Sequence, residues 1–447
     1  MRWVSSRGAS PAVPFIDALF AGTAPDGGLY MPERLDPLSS AQLDAIRAAN
    51  GDIVEIGTIV GSHLLRDEIT VSAMRELVRD ALDFPIPLVQ VTDNIWALEL
   101  FHGPTLAFKD VGARTQARLL HHFTDGTPLT ILVATSGDTG SAVAQAFHGV
   151  PDTRVVVLYP EGKVSDVQEA QMASLGDNIV AVAVHGTFDD CQRLVKQAFA
   201  DDDLRSHVWL TPANSINLGR LLPQAFYYFV LAGPPSASAR GASADKEGGP
   251  YRDQGPVVSV PSGNFGNLTA GLIAKRIGLP VERFVAATNV NDVVPEYLRT
   301  GEYKPRASVR TVANAMDVGA PSNFERMRAM YGDSFESLRC DILGAAFDDA
   351  TVVAEIGDVY RRHGYLLDPH GAIAWLGLRR TLSAGERGVF LATAHPAKFR
   401  EVVEPAIGKA IPLPPVLAEA IERPRHAERL PVDYPTLKKR LLAHVEK

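Results

Sequence analysis

Residues 101–110 read Phe-His-Gly-Pro-Thr-Leu-Ala-Phe-Lys-Asp. This stretch places Lys109 after a Gly/Pro turn and an apolar step, and ahead of a segment with helical periodicity. A lysine amine forms a Schiff base only when it loses its proton, which partial desolvation or a nearby cation favours. Alone, Lys109 would be interpreted as a solvated surface lysine, and the segments that follow it reverse this interpretation.

Two glycine turns follow Lys109 along the chain, Thr-Ser-Gly-Asp-Thr-Gly at 135–140 and Ser-Gly-Asn-Phe-Gly-Asn at 262–267. Each lies between an apolar run and a helical pattern, so backbone N–H groups and the positive end of a helix dipole face whatever binds there. The second turn is typical of a phosphate cradle, because its glycines allow close backbone approach and its asparagines supply donors. One reactive lysine and two anion sites together predict pyridoxal phosphate (PLP) with an amino-acid substrate.

The first glycine turn suits a carboxylate. Ser136 and Thr139 offer hydroxyl groups beside the backbone donors. Asp138 would repel an anion, and it has two candidate roles, as the N-cap of the following helix or as a contact to the substrate.

A third polar cluster lies at residues 213–220, which read Ala-Asn-Ser-Ile-Asn-Leu-Gly-Arg. Arg220 with Asn214 and Ser215 would make a clamp for an oxyanion or a phosphate. The alternative is helix capping with a surface arginine.

Residues 393–399 read Thr-Ala-His-Pro-Ala-Lys-Phe and follow a predicted strand. His395 is either a base or a structural histidine, and Lys398 is expected at the surface. No His/Cys cluster has the spacing of metal ligands, so the sequence predicts no metal site.

Apolar runs rich in β-formers alternate with helical patterns from about residue 85 to residue 400. The predicted strands are 130–135, 154–159, 179–184, 208–211, 257–260, 284–288 and 389–393, and the predicted helices are 140–147, 167–175, 188–200, 218–231 and 268–277. Short buried strands that alternate with helices indicate an α/β fold with parallel sheets covered on both faces. Such sheets bind ligands at the carboxyl ends of strands, where both glycine turns lie.

The composition excludes several classes of protein. The 447 residues suffice for two or three domains, and 46% hydrophobic with 21% charged residues are typical of a globular protein. A net charge of −8 without a basic block argues against nucleic acid, and no apolar run is long enough to span a bilayer. Two cysteines and no signal-peptide pattern fit a reducing cytoplasm.

Taken in order, segments 101–110, 135–140, 262–267 and 393–399 resemble the threonine synthase family, which are PLP-dependent enzymes of fold type II, the tryptophan-synthase-β-like fold. Further segments agree, namely 26–32, 158–163, 287–292 and 314–318. The resemblance extends to about Leu442 and separates this chain from cysteine synthases and threonine dehydratases of the same fold. Gly103 departs from the wider fold, where many enzymes have an asparagine near the 3′-oxygen of the cofactor.

The resemblance implies two parallel-sheet domains plus an N-terminal α-rich domain. We therefore expect an N-terminal domain at 1–85, a catalytic region at 86–400 with a smaller substrate-side subdomain at about 110–215, and a C-terminal helical segment at 401–447. Residues 233–256, which contain few bulky apolar side chains, are expected to form a flexible insertion.

The resemblance also implies the roles of individual residues. Lys109 would hold PLP, and Thr393 would meet its pyridine nitrogen. The PLP phosphate would be surrounded by Gly263, Asn264, Phe265, Gly266 and Asn267. The carboxylate of the substrate would be held by Ser136, Asp138 and Thr139, and its phosphate by Asn214, Ser215 and Arg220.

The reaction expected from the resemblance converts O-phospho-L-homoserine and water to L-threonine and phosphate. One alternative is a dehydratase or a β-replacement enzyme on the same fold, although neither needs a second phosphate clamp. The other is a catalytically silent binding protein, against which the retention of Lys109 argues. A monomer and a homodimer are both compatible with the sequence.

Overall fold

The structure is a computed structural model that describes residues 1–135, 137–233 and 255–443. Ser136 lies outside the described residues, and so does the predicted insertion apart from residues 233, 255 and 256. Within the described ranges no helix is both long and apolar enough to cross a membrane.

The chain alternates helices and strands along most of its length. The strands are β1 (Trp3–Ser5), β2 (Tyr30–Pro32), β3 (Leu88–Thr92), β4 (Ile95–Glu99), β5 (Leu129–Ala134), β6 (Thr153–Pro160), β7 (Ile179–Val184), β8 (Leu210–Thr211), β9 (Val257–Pro261), β10 (Arg283–Thr288), β11 (Ile342–Ala346), β12 (Gly388–Ala392) and β13 (Ala427–Leu430). The α-helices are α1 (Phe15–Ala21), α2 (Ser40–Ala48), α3 (Ile53–Leu64), α4 (Val71–Ala81), α5 (Lys109–Phe123), α6 (Asp138–Phe147), α7 (Asp166–Ala173), α8 (Phe188–Ala200), α9 (Asp202–His207), α10 (Leu218–Leu221), α11 (Gln224–Tyr228), α12 (Gly266–Arg276), α13 (Val293–Thr300), α14 (Asn323–Met330), α15 (Phe335–Asp341), α16 (Asp349–His363), α17 (Pro369–Thr381), α18 (Arg400–Ile407), α19 (Pro415–Glu422) and α20 (Tyr434–Leu442). Short 3₁₀ helices span Phe229–Ala232, Asn314–Met316 and Pro396–Phe399.

The larger sheet has six strands in the order β11-β10-β9-β12-β4-β3. Its first five strands are parallel, and β3 closes one edge antiparallel to β4. Every residue of β9 and β12 is buried, which explains their continuous apolar sequences, because central strands of a parallel sheet are covered on both faces. The carboxyl ends of these two neighbouring strands lie side by side, and the turns at 262–267 and 393–399 start there.

The smaller sheet has five parallel strands in the order β13-β7-β6-β5-β8. Strand β5 leads into the turn at 135–140 and then into α6. Strand β8 is shorter than the predicted strand 208–211, because the Val208 N–H donates to the Leu204 carbonyl at the end of α9 instead of to the sheet.

The N-terminal region joins the same core as both sheets. Trp3 and Phe15 are fully buried with their ring centroids 5.4 Å apart. One hydrophobic cluster connects them to Ile131 of the smaller sheet and Val258 of the larger sheet. Helices α1 to α4 therefore buttress the catalytic region and do not form a separate core.

Two further predicted elements differ from the observed ones. The helix predicted at 218–231 is divided into α10, α11 and a 3₁₀ turn, because Pro223 lacks an N–H donor and stands just before α11. The C-terminal segment predicted as helical also contributes a strand, β13, which pairs with β7.

Candidate active site

Lys109 is the first residue of α5, and the turn before it is fastened to the end of β12. The Phe108 N–H donates to the Thr393 carbonyl at 2.9 Å, and the His395 N–H donates to the Leu106 carbonyl at 3.0 Å. Leu106 has φ +56°, a left-handed conformation that is uncommon for leucine. These contacts bring the predicted cofactor lysine next to Thr393.

Asp138 lies between two lysines. Its Oδ2 is 3.4 Å from the Nζ of Lys109, and its Oδ1 is 2.8 Å from the Nζ of Lys398 and accepts a 3.1 Å hydrogen bond from Gln168. Gly137 occupies the N-cap of α6 and Asp138 follows it inside the helix, so the N-cap interpretation of Asp138 is wrong. The surface position expected for Lys398 is also wrong, since only 1% of its side chain is exposed.

The electrostatics of this cluster favour a neutral Lys109 amine. Burial lowers the pKa of Lys109, the Asp138 carboxylate opposes this, and the charges of Lys398 and Arg220 lower it further, so that the pKa lies below its ordinary value of 10.5. For Asp138, burial raises the pKa, but the two lysines outweigh burial and hold it well below the usual range. An unprotonated amine is the form that attacks a carbonyl carbon.

The turn at 262–267 has the geometry of an anion cradle. Phe265 has φ +61°, and α12 begins at the next residue, so the first N–H groups of an 11-residue helix face the turn. A Cβ atom at Gly263 would lie 2.7 Å from the Ala315 carbonyl oxygen, so only glycine fits there. A Cβ atom at Gly266 would meet nothing closer than 3.5 Å, which leaves the start of the helix open.

The two asparagines of this turn do different things. Asn264 donates to the Ser215 hydroxyl at 2.6 Å and accepts from the Ser322 N–H at 2.6 Å. The Oδ1 of Asn267 accepts from the hydroxyls of Tyr227 and Tyr228, both at 2.7 Å. Those bonds fix the orientation of the Asn267 amide, whose Nδ2 is buried without a partner among the described residues.

Arg220 is a buried cation that pairs with no carboxylate among the residues the structure describes. Its side chain is 3% exposed, and Nη1 donates to the Ala213 carbonyl at 2.9 Å. Its Nε is buried without a described partner, and no described carboxylate pairs with it. Burial lowers the pKa of Arg220 to about 10, against a weak opposing effect of Asp110. Because an uncompensated buried charge is costly, this geometry indicates an anionic ligand.

The other residues predicted to contact the substrate or the cofactor make few hydrogen bonds within the described part of the chain. Ser215 is joined to Asn264, which connects the candidate substrate clamp to the phosphate cradle. Asn214 accepts from the Ile216 N–H at 3.3 Å and shapes its own turn. Thr139 is half-buried and Thr393 is buried, and neither hydroxyl makes a hydrogen bond to a described residue.

Gly103 is explained by Asp110. A Cβ atom at position 103 would lie 2.5 Å from the Oδ2 of Asp110, so an asparagine there would displace this carboxyl group. Asp110 is buried and accepts from the N–H and hydroxyl of Thr105, at 2.9 and 2.6 Å. Burial raises the pKa of Asp110, and the Thr105 bonds oppose that shift. A side chain at position 103 would therefore compete with the Asp110 carboxyl group for the same space.

These residues fit PLP. A mostly buried lysine with a lowered pKa lies beside Asp138, a glycine turn at a helix N-terminus suits the phosphate, and the Asn267 Nδ2 is left unpaired among the described residues. The described residues contain no cluster of three or more His, Cys, Asp or Glu side chains that could hold a metal ion.

Three site residues were missed from the sequence, namely Lys398, Asp110 and Gln168. Lys398 lay in a motif already singled out at the end of a strand, and that position was the signal that could have placed it. Asp110 directly follows the cofactor lysine. Gln168 had no comparable signal, because its role depends on the packing of α7 against α6.

Comparison with known protein families first gives the class of enzyme. Residues 83–394 match the family described as pyridoxal-phosphate dependent enzyme. Residues 2–82 match the family described as threonine synthase N terminus, and residues 372–440 match threonine synthase, C-terminal.

Full-length relatives and solved structures agree with these matches. The chain is 43% identical to threonine synthase of Escherichia coli (strain K12) over 444 residues, covering 99% of this chain and 100% of the relative. It is 44% identical to threonine synthase of Haemophilus influenzae, covering 96% and 97%. The crystal structure of threonine synthase from Escherichia coli has a TM-score of 0.89 at 43% identity, covering 99% and 100% of the two chains. The PLP-bound threonine synthase from Brucella melitensis has a TM-score of 0.90 at 36% identity, covering 100% of both.

The chain belongs to the threonine synthase family. The predicted resemblance, the fold-type-II α/β fold and PLP as the cofactor are thereby confirmed. Threonine deaminase from Solanum lycopersicum, at 15% identity and a TM-score of 0.55, shares the fold only.

Proposed function

We propose that this chain converts O-phospho-L-homoserine and water to L-threonine and phosphate, as a carbon–oxygen lyase acting on phosphates. The observation that carries the proposal is the buried Arg220 guanidinium, which has an unpartnered Nε and no described carboxylate beside it. A phosphate ester supplies the missing counter-charge. Membership of a family whose relatives are named threonine synthase supports the same reaction.

The cofactor would be held at the carboxyl ends of β9 and β12 and at the start of α5. Lys109 would bond PLP covalently, and residues 263–267 would hold its phosphate through backbone N–H groups at the start of α12. The hydroxyl of Thr393, next to the Lys109 turn, would meet the pyridine nitrogen. When bound, PLP supplies the electron sink for proton removal and phosphate elimination.

The substrate is held between the two sheets. Ser136, Thr139 and the backbone of the turn at 135–140 take its carboxylate, and Arg220, Ser215 and Asn214 take its phosphate. Asp138 in this turn is committed to two lysines, so its contribution to the substrate carboxylate is indirect.

The chain's own residues then move protons and stabilise charge. The Lys109 amine, when free and unprotonated, is positioned to take the proton from Cα of the substrate. The phosphate gains negative charge as its bond to Cγ breaks, and the Arg220 guanidinium lies in a desolvated site where that charge is stabilised most effectively. For the atoms to balance, a proton also leaves Cβ as the bond from Cγ to the phosphate oxygen breaks, and Cγ then takes up a proton. Water supplies the hydroxyl group at Cβ, its remaining proton goes to the phosphate, and Cα regains a proton.

The remaining assignments belong to the same proposal. The partner is a small molecule, with no nucleic acid and no membrane, and the location is the cytoplasm. By sequence we divide the chain into an N-terminal threonine synthase domain at 1–85, whose side chains join the core of both sheets, a catalytic region at 86–400 and a C-terminal segment at 401–447.

The test is to incubate the PLP-loaded chain with O-phospho-L-homoserine and to quantify phosphate and L-threonine. Equal amounts of both products are expected, with none from unphosphorylated L-homoserine. L-Threonine and L-serine are offered as substrates in parallel. Release of 2-oxo acids from them, without phosphate release from the phosphorylated substrate, would instead establish a dehydratase. Inactivity with all these substrates in a PLP-loaded protein would favour the silent binding protein.

A further inference from the structure

Three charged side chains from three separate elements meet in the site. Lys109 begins α5, Asp138 lies at the start of α6, and Lys398 belongs to the 3₁₀ helix after β12. Their side chains are 15%, 4% and 1% exposed. Lys398 is thus the most deeply buried of the three, and it has no role in the reaction as proposed above.

The contacts of Asp138 are unequal. Its Oδ1 is 2.8 Å from Lys398, whereas its Oδ2 is 3.4 Å from Lys109. Gln168 donates to the Oδ1 as well, at 3.1 Å. The Asp138 carboxylate is therefore paired mainly with Lys398, and its ion pair with Lys109 is weaker.

The other charged groups that face Lys109 do not change this balance. Arg220 of α10 contributes a second positive charge. Asp110, the next residue of α5, has both carboxyl oxygens engaged by Thr105. With both lysines protonated, the single Asp138 carboxylate is shared by two ammonium groups, and loss of the Lys109 proton leaves Asp138 and Lys398 as a pair with no net charge.

We propose that Lys398 is a positioning residue for Lys109: it binds the Asp138 carboxylate and so leaves Lys109 without a carboxylate of its own, available as a free amine. This inference rests on the proposed role of Lys109 as the lysine that bonds PLP. It assigns to Asp138 the function of holding Lys398 and Lys109 in place.

Without the Lys398 charge, Asp138 would pair with Lys109 alone. A carboxylate within about 4–6 Å favours the charged form of a lysine, and such partners move pKa values by roughly 1–3 units. The amine would then stay protonated to higher pH and would react more slowly with an aldehyde at neutral pH.

The test measures the protonation of Lys109 without using turnover. Trace acetylation of the full-length, PLP-free chain is followed over pH by mass spectrometry of the peptide that contains Lys109. The Nζ of Lys398 also donates to the Thr105 carbonyl at 3.0 Å. Lys398→Gln, which keeps a donor for that carbonyl, should raise the pH midpoint of labelling by about 1–3 units. Lys398→Arg should leave the midpoint near that of the wild type.

A double variant distinguishes a charge effect from a structural one. In Asp138→Asn/Lys398→Gln no carboxylate remains to pair with Lys109, so the midpoint should return to the wild-type value or fall below it. Lys275→Met, which removes a lysine paired with Asp341 at 2.6 Å on another face, is the matched control and should leave the midpoint unchanged. Circular dichroism verifies that each variant is folded, and Lys398→Met replaces Lys398→Gln if the latter is not.

Three results would overturn the inference: an unchanged midpoint in Lys398→Gln, a lowered midpoint there, or the same upward shift in the double variant. A second readout is PLP loading, which in Lys398→Gln should fall at neutral pH and recover at higher pH. Failure of the proposed function appears differently, as a wild-type chain that makes no threonine, because the labelling midpoint does not depend on the reaction.

Discussion

Replacing Arg220 by methionine removes the guanidinium and keeps most of the side-chain volume. In the unliganded chain the two consequences oppose each other, since a buried uncompensated charge disappears while the Ala213 carbonyl loses its 2.9 Å hydrogen bond. Folding stability should therefore change little.

The phosphorylated substrate should be affected far more. A hydrogen bond to a charged group contributes roughly 1.5–3 kcal/mol, so losing one such contact costs roughly 10–150-fold in kcat/KM for O-phospho-L-homoserine. The Nε and Nη groups of Arg220 can each donate to a phosphate, so the loss in kcat/KM is larger if more than one contact is removed. PLP affinity should remain close to that of the wild type.

Arg114 provides a matched control. Its side chain is 12% exposed, and its guanidinium donates to the carbonyls of Asp80 and Ala81 and to Asp83, so its donors are occupied by the protein. Arg114→Met should lower the melting temperature and leave kcat/KM per folded molecule within about twofold. Steady-state kinetics, a PLP titration and thermal unfolding of both variants make the comparison. An equal loss of PLP and substrate affinity in Arg220→Met would place Arg220 at the cofactor phosphate and refute the reasoning.

Further changes address the lysine, the cofactor pocket and pH. Lys109→Ala should abolish turnover and borohydride-trapped PLP on the chain, and trapped cofactor on another lysine in the wild type would contradict the assignment. Gly103→Asn should displace the Asp110 carboxyl group and so lower thermal stability and PLP affinity together. Unchanged melting temperature and PLP loading would show that there is more space near Asp110 than the 2.5 Å distance from a Cβ atom at position 103 to the Asp110 Oδ2 implies. Burial gives Lys109 a lower pKa in the folded chain than its ordinary 10.5, so the folded state binds fewer protons than the unfolded state. The free energy of unfolding of the wild type relative to Lys109→Met should therefore rise as pH approaches 10.5 from below. Urea unfolding at several pH values measures this difference, and the opposite slope would show that the Asp138 carboxylate outweighs burial.

Much of the fold and of the cofactor site could be predicted from the sequence because both depend on local patterns. Buried strands such as β7 and β9 are continuous apolar runs, and the turn at 262–267 combines glycines with the start of a helix. The Pro223 break in the helix predicted at 218–231 was also visible locally, since proline cannot donate its N–H.

The rest depended on contacts between distant parts of the chain. Asp138 and Lys398 meet only because α6 and the turn after β12 face each other across the site, and neither residue type signals a buried ion pair. The sequence Ala-Glu-Arg-Leu of β13 has no strong strand pattern, and it becomes a strand because β7 offers it an open edge.

The position of β13 at the edge of the smaller sheet has a consequence for how the chain is made. Strands β5, β6 and β7 are synthesised by residue 184, but the strand that covers the outer edge of β7 begins at residue 427. At about 5–20 residues per second, the ribosome needs roughly 10–50 s to add the residues between them. During that interval β7, an apolar strand of sequence Ile-Val-Ala-Val-Ala-Val, has a free row of backbone donors and acceptors, which is the kind of edge that pairs with other chains. Nascent chains stalled or truncated before residue 427 should therefore aggregate through the smaller sheet, and chaperones that bind extended apolar segments should be needed most in that period of synthesis.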